Sequence, residues 1–201
     1  MKLARRLLTL LAIAIAVPLA ALAQETPATP AVAVDAARGL PEWEKVYEVF
    51  AHPRCANCHV DDDRPRWSGP HYGETRMHGF NVQGGSDGSG FGSPGMRCNT
   101  CHFESNSSVL HGPPGVAGWH LAPPEMVWWQ KSSAEICAQI KDPARNGGRT
   151  LAEVATHVRD DELVGWGWAP GPGREPAPGS AEATYEALVR WTEAGAPCPP
   201  G

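Results

Sequence analysis

The residues with the clearest chemistry form two short runs, Cys55-Ala56-Asn57-Cys58-His59 and Cys98-Asn99-Thr100-Cys101-His102. Each run reads C-x-x-C-H, the pattern that attaches a c-type haem. The two thiols add across the vinyl groups of one porphyrin, and the histidine that follows binds the iron as the proximal axial ligand. The spacing is short because all three bonds belong to one macrocycle. The sequence therefore predicts two covalently bound haem c groups, with thiol attachment and proximal ligation at Cys55, Cys58, His59, Cys98, Cys101 and His102.

Two other kinds of site use a C-x-x-C pair. A thioredoxin-like dithiol needs no histidine after the second cysteine, and a zinc site needs four ligands around one ion. The same five-residue pattern occurs twice in a chain that begins with an export signal. This repetition favours haem attachment over either alternative.

The second axial ligand of each iron must come from elsewhere in the chain, and histidine and methionine are the usual choices. His78 and His120 follow the two proximal histidines by 19 and 18 residues, as in a weakly duplicated unit. We predict His78 for the first haem. For the second we predict Met126, because residues 121–126 resemble the proline-rich loop that carries the distal methionine in many single-haem c-type cytochromes. The runner-up distal ligands are His120, His157 and Met77.

The first residues have the features of a secretory signal peptide. A basic start is followed by an apolar stretch, Leu7 to Val17, and by the small-x-small cleavage pattern Ala21-Leu22-Ala23. We therefore expect cleavage after Ala23 and a periplasmic mature protein. We divide the chain into a signal peptide at 1–23, a disordered Ala/Pro/Thr leader at 24–38 and one domain at 39–201.

The charge of the mature chain restricts its partners. Removal of the signal takes away three of the 17 basic residues and none of the 22 acidic ones, so the formal charge falls from −5 to −8. A balance this acidic argues against binding to nucleic acid or to anionic lipid, and it permits a redox partner with a basic docking face. The sequence contains no second long apolar stretch, so we expect no membrane span after signal cleavage.

Two cysteines remain outside the haem motifs, Cys137 and Cys198. In an oxidising periplasm the simplest prediction is a disulfide that ties the C-terminal tail to the body of the protein. The alternative is that one of them is a thiolate ligand of a haem iron, but neither lies near a haem motif in the sequence.

The rest of the chain must position these groups, and its regular elements are predicted to be helices. Apolar residues recur at helical spacing in four segments, and Ser132 with Glu135 and Thr150 with Glu153 form capping boxes at two of their starts. We predict a mainly α fold of the cytochrome c type, with little or no strand. The helices are expected from Pro41 to Phe50, from Ser132 to about Lys141, from Thr150 past Val158, and from Ser180 to Gly195.

Long polar loops separate these helices, at residues 60–97 and 106–124, and the first contains a glycine-rich stretch at 84–90. Loops of this length are unusual inside a compact domain, but a porphyrin offers a large apolar surface around which a chain can wrap. The glycine-rich stretch suits close backbone approach to a porphyrin edge or simple flexibility. Because the two motifs start only 43 residues apart, one domain must hold both haems near each other.

The second half of the chain resembles a family of small dihaem-type periplasmic proteins, often labelled isoquinoline 1-oxidoreductase-like subunits. The resemblance rests on residues 111–115 (HGPPG), 119–123, 141–149 (KDPARNGGR) and 166–179 (WGWAPGPGREPAPG). It implies electron transfer beside a periplasmic molybdenum hydroxylase or another dehydrogenase. The sequence itself carries no molybdopterin or flavin motif.

Taken together, the motifs predict a periplasmic dihaem c-type cytochrome that carries electrons between a dehydrogenase and a respiratory acceptor. In that role no side chain needs to act as acid, base or nucleophile. One alternative is a small haem enzyme, in which one iron keeps an open or displaceable position for peroxide, a nitrogen oxide or a sulfur compound. Another is an electron-transfer subunit fixed in a larger oxidoreductase complex.

Overall fold

The computed structural model describes residues 33–68, 75–85 and 87–201, and most of the regular structure in these ranges is helical. The predicted signal peptide and residues 24–32 of the predicted leader lie outside them. Short 3-10 turns occur at Gly79–Asn81, Cys98–Thr100 and Pro143–Arg145. The α-helices are α1 (Ala36–Phe50), α2 (Pro53–Ala56), α3 (Ser133–Lys141), α4 (Leu151–Asp160), α5 (Glu162–Trp166) and α6 (Ala181–Glu193).

Helix α1 begins five residues before the predicted start at Pro41. The Asp35 side chain caps it by accepting a hydrogen bond from the backbone N–H of Arg38 at 3.1 Å. The Asp35 N–H donates to the Ala194 carbonyl at 2.8 Å, so the C-terminal segment holds this end of the helix. The last three residues of the predicted disordered leader, 36–38, are therefore helical. The leader's Ala/Pro/Thr composition could not indicate this, because the stabilising contact comes from the other end of the chain.

Helices α3 and α4 start where the capping boxes predicted. The Ser132 hydroxyl accepts from the backbone N–H of Glu135, whose carboxylate accepts in return from the Ser132 N–H. Thr150 and Glu153 make the same reciprocal pair at the start of α4. Each box satisfies two backbone donors that would otherwise lack partners in the first helical turn.

The core lies among α1, α3, α4 and α6. Trp43 of α1 and Trp191 of α6 are fully buried, with ring centres 4.9 Å apart. The indole N–H of Trp43 donates to the Ser133 hydroxyl at 2.9 Å, and that of Trp191 donates to the Pro197 carbonyl at 2.8 Å. Because both indole N–H groups have acceptors, burial of each ring stabilises the folded state by about 3 kcal/mol without the cost of an unpaired donor.

The predicted disulfide between Cys137 and Cys198 is confirmed. It joins α3 to the C-terminal tail, with the two Cα atoms 5.6 Å apart. Cys137 is fully buried in the helical core. Neither cysteine is therefore available as a thiolate ligand, and that alternative is wrong.

In the part of the chain that the structure describes, the strands are four two-residue segments in two antiparallel pairs, and Ser105 and Val116 form an isolated bridge. Strand β1 (Arg66–Trp67) pairs with β2 (Arg76–Met77), and β3 (Gly92–Ser93) pairs with β4 (Met96–Arg97). The prediction of a mainly α protein with little strand is confirmed at this level.

The glycine-rich stretch approaches another loop closely. Gly90, with φ of +75°, accepts a hydrogen bond from the Leu121 N–H at 3.0 Å. A Cβ atom at Gly90 would lie 2.4 Å from the Leu121 carbonyl oxygen. Glycine is required here because a side chain would collide with the backbone of the other loop.

Within the described residues, no helix is long and apolar enough to cross a membrane.

Candidate functional site

The first C-x-x-C-H run begins inside the short helix α2. Pro53 occupies its first turn, where a missing N–H costs nothing, and His52 caps the helix through its Nδ1 atom, which accepts from the Arg54 N–H. This turn packs Cys55 against the helical core. The start of the first motif is therefore held by secondary structure that the core supports.

His59 is fixed by two contacts. Its Nδ1 lies 3.1 Å from the Met126 carbonyl oxygen, and its ring stacks on Trp128 with ring centres 3.5 Å apart and planes 2° from parallel. A carbonyl can only accept, so Nδ1 carries the proton and Nε2 keeps its lone pair. Burial lowers the pKa of His59 to about 3. The imidazole is thus neutral and oriented, as an iron ligand must be.

His102 repeats this arrangement in the second run. Its Nδ1 lies 2.8 Å from the Pro114 carbonyl oxygen, and its ring stacks on Trp119 at 4.6 Å with planes 3° from parallel. Trp119 in turn meets Trp166 edge to face at 4.9 Å. Burial lowers the pKa of His102, which favours the neutral ring with a free Nε2.

The four motif cysteines form no disulfide. Burial, with Cys58 next in effect, raises the pKa of Cys55 to about 12, and burial, with Cys98 next, raises the pKa of Cys58 to about 11. A redox dithiol needs a lowered thiol pKa, and burial shifts both of these thiols in the opposite direction. In the described part of the chain, no group of three or more His, Cys, Asp or Glu side chains is arranged to hold a metal ion.

One cavity, with a volume of about 330 Å³, borders both runs. Cys58 of the first run lines it together with Cys98, Cys101 and His102 of the second. Residues of both motifs therefore face a common space. The apolar part of the wall comes from residues of several segments: Trp67, Phe80, Val82, Trp119, Leu121 and Trp166.

The charged residues that the structure describes along this cavity are all arginines: Arg54, Arg66, Arg97 and Arg174. Burial lowers the pKa of Arg54, and nearby Arg174 adds to this effect. Two close guanidinium groups beside an apolar space favour a ligand that combines an apolar body with acidic groups. The sequence-based prediction did not include these cavity arginines. The sequence does indicate two of them, because an arginine directly precedes each motif, at positions 54 and 97.

The five candidate distal ligands lie in different surroundings. His78 and His120 line the cavity, and His120 also packs against Phe91 at 4.8 Å. Met77 is 55% exposed in β2. His157 is half-buried on α4, where its Nδ1 lies 3.5 Å from an Asp161 carboxylate oxygen.

Met126 is buried, and its carbonyl oxygen holds His59. Its methyl carbon points toward Gly147, where an added Cβ would come within 2.8 Å of it. This methionine thus contributes to the first motif through its backbone, a role that residue type cannot reveal. Its predicted place as distal ligand of the second haem stays a prediction.

His78 lies close to the second motif, whereas its spacing in the sequence predicts it for the first haem. Its ring centre is 5.9 Å from that of His102. The sequence distance of His78 from His59 therefore did not indicate which of the two runs His78 approaches.

The fold and site can be compared with known proteins. Comparisons with protein-family models, with curated proteins and with solved structures found no match to this chain. The resemblance to small dihaem-type proteins therefore stays a prediction from the sequence motifs.

Proposed function

We propose that this chain is a periplasmic dihaem c-type cytochrome that carries electrons between a dehydrogenase and a respiratory acceptor. The observation that supports this most is the matched support of His59 and His102. Each histidine has its Nδ1 on a backbone carbonyl and its ring on an indole, next to a pair of unbridged cysteines. Two independent copies of one ligand-orienting arrangement favour the same cofactor at both places.

The residues of the two runs and of the cavity wall fit haem c in four respects. Thiols are available for thioether bonds, and the histidines present Nε2 lone pairs. The cavity wall is rich in aromatic rings, as a porphyrin face requires. The four arginines are suited to the propionate groups that a porphyrin carries, because guanidinium pairs with carboxylate through charge-assisted hydrogen bonds.

When bound, each haem supplies a one-electron Fe(III)/Fe(II) couple. In electron transfer no side chain has to act as acid, base or nucleophile. The motif cysteines would attach the haems, and His59 and His102 would bind iron through their Nε2 atoms. Trp128 and Trp119 hold the two imidazole planes, and the arginines would pair with negatively charged groups of the cofactor.

Periplasmic location is part of the proposal and is supported by the Cys137–Cys198 disulfide, which suits an oxidising compartment. The acidic balance of the chain favours a redox partner with a basic docking face. A molybdenum hydroxylase is the partner that the sequence resemblance implies, and other periplasmic dehydrogenases fit the same charge requirement.

The test is to express the full chain in a host that exports and attaches haem c. We expect a coloured protein whose denatured mass includes two haems, with C98A/C101A carrying one. Redox titration followed by absorption should show two reversible one-electron transitions, and carbon monoxide should bind slowly or not at all. A colourless product with free thiols would refute the proposal, and fast carbon monoxide binding at one iron would favour the haem-enzyme alternative.

A further inference from the structure

Two histidines from separate segments meet at the cavity wall. His102 belongs to the second motif, and His78 precedes the 3-10 turn at Gly79–Asn81. Their ring centres are 5.9 Å apart and their planes are inclined at 61°. Both side chains line the cavity that borders the two motifs.

Each ring is held in the tautomer that leaves Nε2 unprotonated. The Nδ1 atom of His78 lies 2.9 Å from the Gly79 carbonyl oxygen, and that of His102 lies 2.8 Å from the Pro114 carbonyl oxygen. Because a carbonyl oxygen accepts only, both Nδ1 atoms carry hydrogen. Two Nε2 lone pairs are therefore available at this part of the wall.

The separation of the rings suits one metal ion between them. With metal–nitrogen bonds of about 2 Å and about 1.1 Å from Nε2 to the ring centre, two imidazoles on opposite sides of one iron have centres about 6 Å apart. An axial imidazole can rotate about its metal–nitrogen bond, so the 61° between the planes is compatible with this arrangement.

The backbone also holds His78 in place. Its N–H donates to the Pro65 carbonyl at 2.9 Å, which connects it to the loop after the first motif. Phe80, two residues on, has φ of +61° and an 87% exposed side chain that borders the same cavity. A strained, exposed aromatic residue beside a candidate ligand favours a bound group that covers it.

We propose that His78 and His102 are the two axial ligands of the second haem, an assignment that rests on the proposed function above. The second haem is then a bis-histidine centre, with a lower potential than a His/Met centre would have. His78 is correspondingly unavailable to the first haem, whose sixth ligand comes from elsewhere in the chain.

The experiment uses the whole dihaem protein and begins with its mass, which shows whether two haems are attached. Paramagnetic resonance of the oxidised protein then separates the low-spin signals of the two irons. H102M identifies the signal of the second haem, and H59M identifies that of the first. We expect H78M to shift the H102M-sensitive signal, to leave the other unchanged, and to raise the midpoint potential of the second haem.

H111M is the matched control, since His111 is another histidine on the cavity wall and is not among the predicted ligands; it should leave the second-haem signal in place. H78A gives an independent measurement: one haem, half of the bound iron, should become high spin, and added imidazole should restore it. A shift of the H59M-sensitive signal in H78M, or no shift of either signal, would overturn the assignment. A wild-type protein without covalent haem would instead refute the proposed function, and this is visible before any variant is made.

Discussion

The two C-x-x-C-H runs present their histidines in the same way but stand on different supports. The first is backed by the helical core: Trp128, on which His59 stacks, is buried and stacks in turn on Phe50 of α1 at 4.3 Å. The second is backed mainly by loops, with Trp166 at the end of α5 as a helical contact of Trp119. Trp119 is only partly buried, and Phe103, next to His102, is 66% exposed. The same ligand geometry is thus produced once by a packed core and once by loop contacts around a cavity.

This difference has an energetic meaning. Core packing positions the first histidine through many apolar contacts that exist whether or not a ligand is present. The loops of the second run expose large apolar side chains, among them Phe80, Phe103 and Leu110. Burial of such surface by a bound group would supply stability that the loops lack by themselves. Under the proposed function, the second site should therefore depend on its haem far more than the first site does.

The largest expected effect comes from removing each of the two proposed haems separately. In C98A/C101A, we expect backbone amides in the loops between residues 87 and 120 to exchange with solvent about 100-fold faster or more, because their apolar side chains lose the group that covers them. In C55A/C58A, amides of α1 and α6 should keep their protection. Hydrogen exchange followed by mass spectrometry measures both. Equal loss of protection in α1 from both variants would contradict the difference in support.

A second effect concerns the disulfide that joins α3 to the C-terminal tail. Its closed loop of 61 residues corresponds to about 4 kcal/mol of unfolding free energy in the chain-entropy model. We expect C137A/C198A to lose about that amount in chemical denaturation while both haem spectra stay unchanged at room temperature. A shift in the second-haem spectrum alone would contradict the view that the disulfide stabilises the helical core and not the second haem site.

Much of the helical body could be predicted from the sequence, and most of the cavity could not. The capping boxes at Ser132 and Thr150 are local signals, and the disulfide followed from the two cysteines left outside the motifs. The carbonyl oxygens that orient His59 and His102 belong to Met126 and Pro114, and backbone groups carry no residue-type signal. Placing His78 beside His102 requires the path of the intervening loops, which have no periodicity to read.

A third prediction compares the two indoles directly. W128A should lower the free energy of unfolding by about 3 kcal/mol and also perturb the first haem, because Trp128 joins His59 to the core. W119A should perturb the second haem with a smaller stability loss. Denaturant unfolding and paramagnetic resonance report the two quantities separately.

The control for this comparison is W128F. Phenylalanine keeps an aromatic face for His59, and it removes an indole N–H that is buried without an acceptor among the described residues. We expect W128F to cost clearly less stability than W128A and to leave the first-haem signal close to wild type. If W128A and W119A lower the free energy of unfolding equally, the proposed difference between core packing behind the first run and loop contacts behind the second is wrong.

The smallest effect tests the helical body alone, through the ion pair that joins α1 to α6. Arg190 Nε lies 3.0 Å from a Glu42 carboxylate oxygen. Burial raises the pKa of Glu42, but hydrogen bonds from Lys45 and Arg190 outweigh it and leave that pKa below its usual value of 4.5. A carboxyl group whose pKa is lower in the folded state than in the unfolded state stabilises the folded protein at pH values above its unfolded-state pKa. This stabilisation is lost as the pH falls through the folded-state pKa.

We expect E42Q to lower the free energy of unfolding by about 0.5 kcal/mol at neutral pH and by nothing in acid. The control is E44Q, at an exposed glutamate of the same helix. Thermal unfolding across pH measures the stability difference between E42Q and the unsubstituted protein. This difference should be the same with and without the second haem, because α1 and α6 belong to the helical core, which does not depend on that haem.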